Sequence, residues 1–87
     1  MNLPVITRAD VERLLASPGE DPVLYLNDEG GVAKVDVWVS AYVHHAKVLA
    51  HRYEVVDAIG DAPDAADVEH YLRLLQQAVE EAADRLE

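Results

Sequence analysis

Residues 40–60 read SAYVHHAKVLAHRYEVVDAIG, and the fold depends on how these twenty-one positions are taken. At about 100° per residue they resolve into helical faces. Tyr42, Ala46, Leu49, Tyr53 and Val56 fall on one apolar arc, and Ala41, Val48, Val55 and Ile59 on another. Lys47 and Glu54 mark a polar centre flanked by His44 and His51. Ser40 suits an N-cap and Gly60 a C-terminal cap. The spacing therefore predicts one helix over 40–60, apolar around half its circumference. Inside the apolar half, His45 and Arg52 stand seven residues apart on one line. A helix of this kind calls for two packing neighbours.

One neighbour is expected in residues 64–86. Val68, Leu72, Leu75, Val79, Ala82 and Leu86 are spaced 4, 3, 4, 3, 4, with Glu69, Arg73, Gln76, Gln77, Glu80 and Asp84 opposite. That is a one-sided amphipathic helix. With only a short DAPD link between them, the two helices are expected to form a long antiparallel pair. The second neighbour is the hairpin sheet, the first helix or another copy of the chain, and with so few other elements a homodimer through the middle helix is expected.

Upstream, TRAD opens a short helix over 7–17 with a capping-box pattern between Thr7 and Asp10, and Ser17-Pro18-Gly19 ends it. PVLYLNDEGGVAKVDVWV, residues 22–39, reads as a β-hairpin turning in NDEGG. Its second arm alternates Ala33, Val35, Val37 and Val39 with Lys34, Asp36 and Trp38. A lone hairpin is marginal in water, so it needs helices, the N-terminal NLPVI segment, or a second copy beside it. The expected fold is one α+β domain of 87 residues: short helix, hairpin, long helix pair.

Composition narrows the function classes. Seventeen acids against seven Lys and Arg give a formal charge of -10, and residues 61–87 carry eight of those acids with two bases. Nucleic-acid binding and anionic membrane surfaces both demand the opposite balance. Without cysteine, disulfide frameworks and thiolate metal sites are excluded. No stretch has signal-peptide or membrane-spanning form, so a cytoplasmic protein is expected.

Catalytic patterns are sparse. Nucleophilic catalysis needs an activated Ser, Cys or Lys, and neither Ser17 before its proline nor Ser40 as a cap suits the role. His44 and His51 lie about 10 Å apart along a helix and cannot share an ion. His51 with Glu54 and Asp67 with His70 have usable spacing but sit on solvated faces. No cofactor, metal or catalytic residue is expected. The interface or pocket candidates are Trp38, Tyr42, His45, Leu49, Arg52, Tyr53 and Ile59. Glu80, Glu81, Asp84 and Glu87 oppose the helix dipole at the C-terminal end, which a basic partner would relieve. The expected function is a small acidic interaction module acting without catalysis, a homodimer in a regulatory or accessory role. The alternatives are an antitoxin, immunity or inhibitor protein neutralising a basic target, or a ligand or metal site around His45.

Overall fold

A computed structural model describes residues 3–28 and 33–86. The chain runs α1 (Arg8–Ala16), β1 (Pro22–Asn27), β2 (Lys34–Val39), two single 3-10 turns (Ser40–Tyr42 and His45–Lys47), β3 (Val48–His51), α2 (Arg52–Ile59) and α3 (Ala65–Leu86). The strands form one antiparallel sheet in the order β2-β1-β3.

The central strand explains the arrangement. Val23, Leu24 and Leu26 are all buried, so β1 is covered on both faces, and backbone groups on both its edges need partners. On one edge the hairpin pairs Leu24 with Val37 and Leu26 with Val35. On the other, β3 pairs Val23 with His51 and Leu24 with Ala50, with a register shift before Tyr25 meets Val48. Leu24, Leu26, Val35, Val37 and Ala50 face the helices. They join Val11 and Leu14 of α1, Val55 of α2, and Leu75, Val79, Ala82 and Ala83 of α3 in one core.

This arrangement overturns the expected long antiparallel helix pair. The predicted 40–60 helix is instead two 3-10 turns, a strand and an eight-residue helix. Three local features break it. Val48-Leu49-Ala50 is a continuous apolar run, which suits a buried strand as well as a helix, so periodicity alone does not separate the two. His44 Nδ1 accepts the Ala46 N–H at 3.2 Å, holding a turn that competes with a continuing helix. Glu54 accepts the His51 N–H at 3.0 Å, which starts α2 at Arg52 instead of carrying a helix through it. With that helix gone, its two apolar arcs no longer call for a second copy of the chain.

Elsewhere the local rules act as expected. Asp10 accepts the Thr7 N–H at 2.9 Å at the start of α1. Along α3, Val68, Leu75, Val79 and Ala82 are buried, while Glu69, Arg73, Glu80 and Asp84 are exposed. Gln76, expected on the polar side, is half-buried: its Oε1 accepts the Ile6 N–H and its Nε2 donates to Pro4 O, both at 3.1 Å. Residues 3–6, the described part of the N-terminal segment, are therefore tied to α3 and add no strand. The NDEGG turn falls largely on residues 29–32, outside the described residues. Among the described residues no helix is long and apolar enough to cross a membrane.

Two substitutions test this packing. Leu24→Ala removes a fully buried core side chain from the central strand, and should lower unfolding free energy by about 2–5 kcal/mol in denaturant titration. Gly60 ends α2 at φ +82° and ψ 173°, with open space where a Cβ would sit. Gly60→Ala should therefore cost about 1–3 kcal/mol through backbone strain alone.

Candidate functional site

Because β2 and β3 both run antiparallel to β1, they are parallel to each other on opposite sides of it. Residues 40–47 must return from the end of one to the start of the other. Along β1 and β2 the side chains that do not face the helices are Val23, Tyr25, Asn27, Lys34, Asp36 and Trp38, by the two-residue alternation of strands. The crossover lies over this face. Between them is a cavity of about 230 Å³ lined by Tyr25, Asn27 and Trp38 from the sheet and Tyr42, Val43, His44 and Lys47 from the crossover. Trp38 is 56% exposed and Tyr42 79% exposed.

The charges around this cavity are internally matched. Lys47 Nζ lies 2.8 Å from Asp28 Oδ1, and that hydrogen bond holds the Asp28 carboxyl below its ordinary value against a smaller opposing effect of burial. On the neighbouring strand Asp36 receives Arg13 at 2.9 Å and lies 3.8 Å from Lys34. His44 Nδ1 accepts the Ala46 N–H at 3.2 Å within the crossover.

A second polar cluster ties three elements together. The Asp21 carboxylate lies 2.9 and 3.1 Å from His51 Nδ1 and accepts the Ser40 hydroxyl at 2.9 Å. Facing an acceptor-only carboxylate, Nδ1 carries the proton. Asp21 adopts φ +48°, a conformation that Asp tolerates better than most residues, and its carbonyl accepts the Ser40 N–H at 3.1 Å. The hydrogen bond from His51 is the largest cause holding the Asp21 carboxyl below its ordinary value; burial opposes it and Ser40 adds to it. Ser, His and Asp are all present, but their connection differs from a nucleophilic triad. There the histidine stands between serine and carboxylate, whereas here both the serine and the histidine donate to the carboxylate. The cluster joins the start of β1, the end of β2 and the β3–α2 junction.

The seven pocket candidates therefore separate. Trp38 and Tyr42 line one cavity. His45 is exposed in a 3-10 turn and stacks on His44 with ring centroids 4.8 Å apart. Leu49 and Ile59 are half-buried against the core. Arg52 donates to the carbonyls of Ser17 and Gly19 just beyond α1, where a cation also suits the helix dipole. The expected line of His45 and Arg52 does not exist, since β3 intervenes. Tyr53 is 59% exposed and borders a separate cleft with Asp21, Arg52, Val56 and Asp57. Glu80, Glu81 and Asp84 are exposed on α3, and Glu87 lies outside the described residues. Among the described residues no three His, Asp or Glu side chains converge as metal ligands.

Sequence reasoning missed Tyr25 and the Asp21–Ser40–His51 cluster. Alternation along PVLYLN could have placed Tyr25 outward, beside Trp38. Nothing in the sequence pairs Asp21 with residues 19 and 30 positions away. No protein-family model matches the chain, and no curated protein or solved structure is significantly similar to it.

Asp21 and Asp28 both have lowered pKa values in the folded state. Their contribution to stability is thus complete above the ordinary aspartate value of about 3.9 and is lost as pH falls through the lower folded values. Acid titration of thermal stability should show this loss below about pH 4. Asp21→Asn should lower stability near neutral pH and flatten part of the acid slope; an unchanged slope would mean that the cluster does not form. Arg52→Ala should cost about 1 kcal/mol, given two carbonyl acceptors in a partly exposed position.

Proposed function

We propose that this chain is a small interaction module that acts by binding a basic protein surface rather than by catalysis, and one observation carries the reading. Six of the seven Lys and Arg side chains are engaged within the molecule. Arg8 meets Glu12, Arg13 and Lys34 meet Asp36, and Lys47 meets Asp28. Arg52 and Arg85 donate to backbone carbonyls, those of Ser17 and Gly19 and that of Ala46 respectively. Asp57, Asp61, Glu69, Glu80, Glu81 and Asp84 are exposed and take no hydrogen bond or ion pair among the described residues. Arg85 donates to Ala46 O, and Glu81 one turn before it takes no ion pair among the described residues.

The negative surface is therefore left unmatched while the positive charge is spent on the fold. At the end of α3 this has a stability cost. Glu80 and Asp84 repel at i,i+4, and both oppose the helix dipole. A basic partner surface relieves both effects. The same chemistry covers an inhibitor or antitoxin acting on a basic target.

The test replaces Glu80→Gln, Glu81→Gln and Asp84→Asn together and measures binding of a labelled Lys/Arg-rich peptide by anisotropy. At about 0.1 M salt, where the Debye length is about 10 Å, the parent chain should bind and the variant should bind more weakly. At about 1 M salt both should lose binding. Relieving the Glu80–Asp84 repulsion should also raise stability by about 0.2–0.5 kcal/mol. Salt-insensitive binding, or equal binding by the variant, would count against the reading.

A further inference from the structure

We propose that the cavity between the sheet and the crossover is a cradle for a cationic side chain, a lysine or arginine presented by a basic protein segment. The proposal rests on the basic-partner reading above and specifies where such a segment anchors.

Three aromatic residues, Tyr25, Trp38 and Tyr42, line one cavity of about 230 Å³. Aromatic faces carry negative quadrupolar potential, Trp most strongly, and attract an ammonium or guanidinium group within about 6 Å. Trp38 and Tyr42 are the most exposed aromatic residues on this side of the molecule, at 56% and 79%. Tyr42 is fixed by the 3-10 turn Ser40–Tyr42, which begins where Ser40 is tied to Asp21 through both its hydroxyl and its N–H. The cradle wall is therefore anchored.

Charge selects the occupant. Lys47, the one Lys or Arg that lines the cavity, is held 2.8 Å from Asp28, and Asp36 on the same sheet face is already matched by Arg13 and Lys34. The lysine in the lining is thus matched within the chain, and the chain as a whole carries -10. A purely apolar occupant would gain nothing from that field, whereas a cation gains both from the rings and from the long-range potential.

Trp38 is the only tryptophan, so its fluorescence reports directly on the cradle. The full chain is titrated with a capped tripeptide bearing one Lys, its Arg counterpart, and a norleucine peptide that keeps the side-chain carbons without the charge. The Lys and Arg peptides should change the emission saturably, and the norleucine peptide should bind at least several-fold more weakly. Tyr42→Ala should weaken the cationic peptides by about two- to fivefold. Tyr42 is exposed, so the variant should fold, and circular dichroism checks that it does. Equal response to norleucine, or full affinity in Tyr42→Ala, overturns the cradle.

The two readings fail separately. If the Lys/Arg-rich peptide still binds salt-sensitively through α3 while single-Lys peptides leave Trp38 unchanged, the acidic surface stands and the cradle falls. If single-Lys peptides act on Trp38 while the α3 neutralisation has no effect, the cradle stands and the surface reading falls.

Discussion

The structure depends on β1 having two edges to satisfy. A strand buried on both faces cannot leave its N–H and C=O groups to water, and unpaired buried backbone groups are costly. The hairpin closes one edge of Pro22–Asn27, and nothing adjacent in sequence closes the other. Residues 48–51 are taken for that purpose, although their local pattern equally allows a helix. The choice is made by tertiary demand. Once β3 forms, the preceding eight residues must act as a crossover and the following eight are left for a short helix.

The parts of the fold legible in the sequence are those decided locally. Thr7 and Asp10 mark the start of α1 by hydrogen bonding within one turn. The α3 stripe is set by a single face against a single core, so its period survives in the structure. Residues 40–60 were not legible because helical periodicity there arises from unrelated causes. Leu49 is apolar because it packs on the core from a strand, Ile59 because it packs there from α2, and Tyr42 while lying 79% exposed. Their helical spacing is coincidental, and a stretch with apolar residues on most sides offers weak discrimination between the two periods. Glu54 was the overlooked signal. Read as a polar-face residue, it is instead the partner of a helix start at His51.

The same limit applies to the candidate site. The sequence sets Trp38 on one side of an alternating strand and Tyr42 on an apolar helical arc, and they meet in one cavity only because the crossover passes over the sheet. Arg52 drew attention as a cation in an apolar helix face. Its actual acceptors, the carbonyls of Ser17 and Gly19, lie more than thirty residues away in sequence and present no side-chain signature.

The constraint that removes the long helix is thus the one that builds the aromatic face. Were residues 40–60 helical, Tyr42 would stand on a helix packed beside the sheet, and Trp38 would face solvent alone. Pairing β3 to β1 forces the chain back over Tyr25 and Trp38. Asp21, gripping Ser40 at one end of the crossover and His51 at the far end of β3, fixes both limits of that passage. The polar cluster that resembles catalytic machinery by composition is better understood as the clasp that sets the aromatic cavity's geometry. It also accounts for Asp21 adopting a positive φ: in that conformation its carboxylate meets both donors while its carbonyl still accepts the Ser40 N–H.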